Sequence, residues 1–63
     1  MTNRIKAHRR KRGISQSTLA YITSLGQSTI SEIENNKYIP RVDTAIRIAQ
    51  ALNTTVERLF IIE

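Results

Sequence analysis

The stretch QSTLAYITSLGQSTISEIEN, residues 16–35, decides how the rest of this chain is read. Its first part, about 16–23, sets Leu19, Ala20 and Ile22 at helical spacing behind Ser15, a residue type that caps helix N-termini by accepting a backbone amide. Ser24-Leu25-Gly26 interrupts, and apolar spacing resumes with Ile30 and Ile33 over about 27–35. Two helices this short, joined by so small a turn, bury their apolar stripes only by crossing steeply, which is the helix-turn-helix arrangement. The crossing requires a small side chain where the backbones approach, and Ala20 supplies it. Leu25 is placed to plug the core from the turn, while Ile30 and Ile33 face back toward the preceding helix.

On a wheel of about 100° per residue, Thr29, Ile30 and Ile33 share one side of the later helix, and Gln27, Ser28, Ser31, Glu32 and Asn35 share the other. Amide, hydroxyl and carboxylate groups of this kind hydrogen-bond base edges in a major groove. A solvated surface helix presents a similar face. Position distinguishes this one: it follows a compact turn and opens at a helix N-terminus, where backbone amides favour approach to phosphate.

Working outward, residues 3–12 form a first helix stopped by Gly13, and Asn36 is suited to the left-handed backbone that ends helices. Pro40 delays a fourth helix to about 42–52, with Val42, Ala45, Ala49 and Leu52 on one face and Ile46 and Ile48 flanking it. Thr54 and Glu57 stand at capping-box spacing ahead of Val56, Leu59 and Phe60, which predicts a fifth. Alternation with period two never runs the length of a strand, so the fold class is all-α and residues 1–63 are one domain.

Composition narrows the function. With 63 residues, no cysteine and a single histidine, His8, neither a disulfide framework nor a thiolate or histidine-cluster metal site can form. Five carboxylates and one histidine leave few acid–base constellations, so no enzyme, metal or cofactor is expected. The longest apolar run, Leu59–Ile62, is far short of the roughly 20 residues of a membrane span. No apolar stretch follows the N-terminal charges, and the expected location is the cytoplasm. The net charge is +5, yet residues 1–12 alone carry +6 through Arg4, Lys6, Arg9, Arg10, Lys11 and Arg12. Such a stripe is the footprint of a polyanion partner, or else a solvated face. A membrane-surface helix would require larger apolar residues than Met1, Ile5 and Ala7.

Ile5, Arg9, Gly13-Ile14-Ser15-Gln16, Leu19-Ala20, Leu25, Ser28-Thr29-Ile30-Ser31, Ile33-Glu34, Pro40, Ile48-Ala49, Leu52 and Glu57-Arg58-Leu59-Phe60 stand in this order along the chain. The set resembles the Cro/phage-repressor (XRE-like) helix-turn-helix family over essentially all 63 residues. The resemblance implies a five-helix, lambda-repressor-like domain and a sequence-specific regulator of transcription that binds double-stranded DNA. It implies base reading by Gln27, Ser28 and Glu32. Contacts to the DNA backbone fall on Gln16, Thr29, Ser31, Asn35, Lys37, Tyr38 and Arg41. It also implies a structural ion pair between Arg9 and Glu34, and the wheel agrees, since Glu34 lies between the apolar and polar faces.

Three positions depart from the family pattern. Ser24 stands where glycine is usual, so a left-handed turn there falls on a poorly suited residue. Gly26 replaces a Ser/Thr cap. Glu32 carries a negative charge that suits DNA only if it accepts from a cytosine N4 amine. His8 is read as a packed or half-exposed ring, and Asp43 as a carboxylate favoured by a helix N-terminus.

A module of this size makes a modest DNA contact alone, and symmetric relatives pair on palindromes. Ile39, Val42, Phe60, Ile61 and Ile62 are the expected homodimer contacts, with Ile46 and Phe60 also suited to the core. The function expected is a repressor acting as a homodimer on a palindromic operator. An antitoxin or adaptor whose main partner is a protein is the alternative. An RNA binder using Arg9–Arg12 lacks the stacking aromatics, having only Tyr21, Tyr38 and Phe60.

Overall fold

Gly13, Ser24, Asn36 and Asn53 all take left-handed backbone, with φ of 71°, 60°, 59° and 55°. Each follows a helix and builds the same closure. Its own amide donates to the carbonyl three residues back, and the next amide donates five residues back: Gly13 to Arg10 with Ile14 to Arg9, Ser24 to Tyr21 with Leu25 to Ala20, Asn36 to Ile33 with Lys37 to Glu32, Asn53 to Gln50 with Thr54 to Ala49. This is the Schellman turn, which satisfies carbonyls that a helix end otherwise leaves open.

The computed structural model describes residues 2–61. In chain order they form β1 (Thr2–Asn3), α1 (Ile5–Lys11), α2 (Gln16–Thr23), α3 (Gln27–Glu34), α4 (Val42–Ala51), α5 (Val56–Leu59) and β2 (Phe60–Ile61). The fold is all-α, with five helices and one minor strand pair. Ser15 caps α2 as its sequence indicates, its hydroxyl accepting from the Thr18 amide at 3.1 Å.

The core gathers side chains from every helix. Ile5, Leu19, Ile30, Ile33, Ile48 and Leu59 are fully buried. Ala20, also buried, stands in α2, which packs most extensively against α3. Thr23 is the polar residue buried among them, and its hydroxyl donates to the Leu19 carbonyl at 2.8 Å, so no group is stranded. The Arg47 guanidinium reaches from α4 to the Thr23 carbonyl at 3.2 Å and ties α4 to the end of α2.

Several expectations are corrected. Asn3 is in a strand rather than a first helix, because β1 pairs antiparallel with β2, Thr2 opposite Ile61 and Asn3 opposite Phe60. The cap of α5 is Thr55, whose hydroxyl accepts from Arg58 N at 3.3 Å. Thr54 is taken up by the closure of α4. The buried arc of α4 is centred on Ala45, Ile48, Ala49 and Leu52 rather than on Val42; Val42, in the first turn, lies at the edge of that arc and is 76% exposed, and Ile46 is 43% exposed. Phe60 is buried in the core of its own chain, which leaves almost none of it for a second copy. Ile62, the other expected contact at this end, lies outside the described residues.

Candidate nucleic-acid interface

The helix that carries the outward polar face is fixed from three directions. From α1, Arg9 Nε donates to Glu34 Oε2 at 2.8 Å, Nη2 reaches Oε1 at 3.3 Å, and Nη1 donates to the Ile14 carbonyl at 3.0 Å. The pair is enclosed, with 11% of the Arg9 and 2% of the Glu34 side chain accessible. From α2, the Gln16 amide donates to Glu34 Oε1 at 3.1 Å. A buried carboxylate is tolerable only with such donors around it, and Glu34 has three. From β1, the Asn3 amide donates to the Ile33 carbonyl and to Asn36 Oδ1, both at 2.8 Å, and its own Oδ1 accepts from the Ile5 amide at 3.2 Å.

The turn ahead of α3 keeps the expected register. Ser24 takes the left-handed conformation and Gly26 is the N-cap, extended at φ −73° and with no side chain over the first turn. The amides at the start of α3 therefore have no side-chain cap. Leu25 is half-buried against the core, as its place in the turn requires.

Gln27, Ser28 and Glu32 are exposed together on α3 and make no side-chain hydrogen bond among the described residues. They present free amide, hydroxyl and carboxylate groups on a rigid support. Ile30 and Ile33 are buried behind them, and Thr29 and Ser31 are half-buried at the borders. The residues expected at a DNA backbone fall into two groups. Lys37, Tyr38 and Arg41 are exposed in the segment after α3, and Arg41 makes only a loose, solvent-exposed 3.8 Å approach to Asp43, which holds it weakly. Gln16 and Asn35 are partly engaged: Gln16 with Glu34, and Asn35 through a 2.9 Å bond from its amide to the Ser31 carbonyl.

Sequence reasoning missed Asn3, Thr23 and Arg47. Asn3 stands just ahead of a helix, where asparagine side chains often bond nearby backbone, and that was the available signal. Its reach to a residue 30 positions away carried none. His8 is half-exposed, with Nδ1 3.0 Å from the Arg4 carbonyl.

Two short helices packed against each other across a tight turn, the later one held by its neighbours with its polar side outward, are a helix-turn-helix DNA-binding domain. The chain belongs to the Cro/phage-repressor (XRE-like) helix-turn-helix family: the Helix-turn-helix family model matches residues 5–59. An HTH-type transcriptional regulator of Archaeoglobus fulgidus is 36% identical over 63 residues, covering 100% of this chain and 90% of that one. Another, of Bacillus subtilis, is 30% identical and covers 100% and 96%. Among solved structures, the restriction-modification controller protein C.AhdI of Aeromonas hydrophila superimposes with a TM-score of 0.85 at 28% identity, over 90% of this chain and 86% of that one. The N-terminal DNA-binding domain of SinR from Bacillus subtilis gives 0.80 at 31% identity, over 86% and 80%. The chain is thus a transcriptional regulator with a helix-turn-helix domain, not an enzyme. No helix among the described residues is long and apolar enough to cross a membrane.

Proposed function

We infer that this chain represses transcription by binding a palindromic operator in double-stranded DNA as a homodimer, with α3 of each copy in adjacent major grooves. The observation that carries this reading is the unbonded, exposed trio Gln27, Ser28 and Glu32 on a helix locked by Arg9, Gln16 and Asn3. Preorganised donors and acceptors of this kind read base edges without first breaking internal bonds. Glu32 accepts from a cytosine N4 amine, and its charge penalises sites that lack one.

Around the trio, Lys37 and Arg41 neutralise phosphates, and Gln16, Thr29, Ser31, Asn35 and Tyr38 contribute hydrogen bonds to the strand backbone. Ile39 is 69% and Val42 76% exposed, close together in sequence, and they supply the apolar centre of a two-fold contact, joined by Ile46 and by the half-buried Ile61. Occupancy of the operator then excludes or recruits polymerase, and exclusion is the simpler outcome for a domain of this size.

The test is binding to the duplex upstream of the chain's own gene, against a scrambled duplex, across a salt series. A preference for the upstream duplex that survives at moderate salt supports the reading. Equal affinities that differ only by a common salt slope reduce it to charge attraction.

A further inference from the structure

A depression of about 340 Å³ opens between the C-terminal turns of α1 and α4 and the side of α5. His8, Lys11 and Arg12 line it from α1 and its closure, Asn53 and Thr54 from the closure of α4, and Arg58 from α5. Buried Leu52 also borders it. None of its lining residues belongs to α2 or α3, so it stands apart from the reading face.

Cations near a helix C-terminus ordinarily serve its open carbonyls. Here that need is already met. Ile14 and Gly13 close α1, and Thr54 and Asn53 close α4, through backbone bonds of 2.9 to 3.2 Å. Lys11, Arg12 and Arg58 are exposed, and none forms an ion pair among the described residues. Among the described residues no carboxylate lines the depression, and the negative ends of the α1 and α4 dipoles only partly offset the three charges. The Thr54 hydroxyl and the Asn53 amide add uncharged donors. No aromatic ring is present on which a base could stack, so recognition would rest on charge and hydrogen bonds alone.

We propose that this depression is a phosphate-binding site, separate from the reading face. Two guanidinium forks and an ammonium match the several acceptor oxygens of a phosphate group better than the two of a carboxylate. The phosphate comes either from duplex flanking the read half-site or from a free polyphosphate ion. The polyphosphate measurement does not depend on operator reading, so the two ideas fail separately.

Calorimetry with inorganic tripolyphosphate at low salt compares the full chain with two variants. Lys11→Ala/Arg12→Ala/Arg58→Ala empties the depression. Arg4→Ala/Lys6→Ala/Arg10→Ala removes the same charge from exposed positions of the same region. The depression variant is expected to lose about tenfold or more in affinity and the control far less, a contrast that uniform charge attraction does not produce. Amide shifts on titration are expected at Asn53 and Thr54; because these need only the unaltered chain, they test the site even if a triple variant folds poorly.

In a second arm, DNA binding is followed across salt on a minimal duplex and on one extended by roughly ten base pairs at each end. A slope that falls by about two in the depression variant, on the longer duplex only, assigns the phosphate to flanking DNA. Tripolyphosphate binding with unchanged slopes assigns it to the free ion. Equal losses in the two variants, or no tripolyphosphate binding together with equal slopes, overturn the proposal.

Discussion

The Asn3 side-chain amide donates to the Ile33 carbonyl at 2.8 Å, so the strand that opens the chain holds the last turn of the helix carrying the reading face. The same amide reaches Asn36 at the left-handed closure of α3, and β1 is itself held by β2. Both ends of the described chain therefore converge on the C-terminus of α3. Asn3→Ala removes these bonds and leaves the Ile33 carbonyl with the Asn36 amide as its remaining loop partner. A loss of about 1–2 kcal/mol in urea unfolding is expected, with a larger fractional loss of DNA affinity than the neighbouring control Thr2→Ala.

Arg9 and Glu34 are the costlier pair to break. Arg9→Ala leaves a carboxylate that is 98% enclosed with Gln16 as its remaining side-chain donor, and about 3–5 kcal/mol of stability should go with it. Replacing both members by Met and Leu should recover most of that stability, because two desolvated charges disappear together. Chemical denaturation of Arg9→Met, Glu34→Leu and the double, taken as a cycle, measures the coupling. Additive losses would show that the pair does not act as a unit.

Ser24 carries a φ of 60° on an exposed residue. Ser24→Gly should raise stability by up to about 1 kcal/mol, since glycine takes this backbone without strain although it loses more entropy on folding. Gly13→Ala is the converse: at φ 71° it is strained although no atom lies within 4 Å of the added Cβ, and it should lower the melting temperature. Neither change should alter DNA selectivity.

Ile39→Lys/Val42→Lys places charges on side chains that contribute little to the core. Stability of the monomer should change by less than about 0.5 kcal/mol, while sedimentation shifts toward a single copy and binding to paired half-sites loses its cooperativity. Unchanged sedimentation would move the two-fold contact elsewhere.

The residues that punctuate and cap the helices were legible because each acts locally. Ser15 caps its own helix, and Gly13 and Asn36 end theirs, all within a few residues of the signal. Arg9 and Glu34 were legible through the family resemblance, and the structure closes their bond at 2.8 Å. What stayed hidden depends on distant partners. Strands as short as Thr2–Asn3 and Phe60–Ile61 have no periodicity to read, and they form only because the fold brings Asn3 opposite Phe60. Val42 fits an apolar stripe on the wheel, but the wheel does not show where the packing of α4 begins. Thr54 and Thr55 are chemically equivalent as caps, and the closure of α4 decides between them.

The most direct measurement is the affinity of the chain and of its Gln27→Ala and Glu32→Gln variants for a panel of operator half-sites, each altered at one base pair. If α3 reads the groove, each substitution should erase discrimination at its own base pair, by about 1–3 kcal/mol, and leave the other positions as they were. Glu32→Gln should act at a cytosine. Variants that weaken every site equally, with the pattern of preferences intact, would contradict the assignment of this helix as the reader.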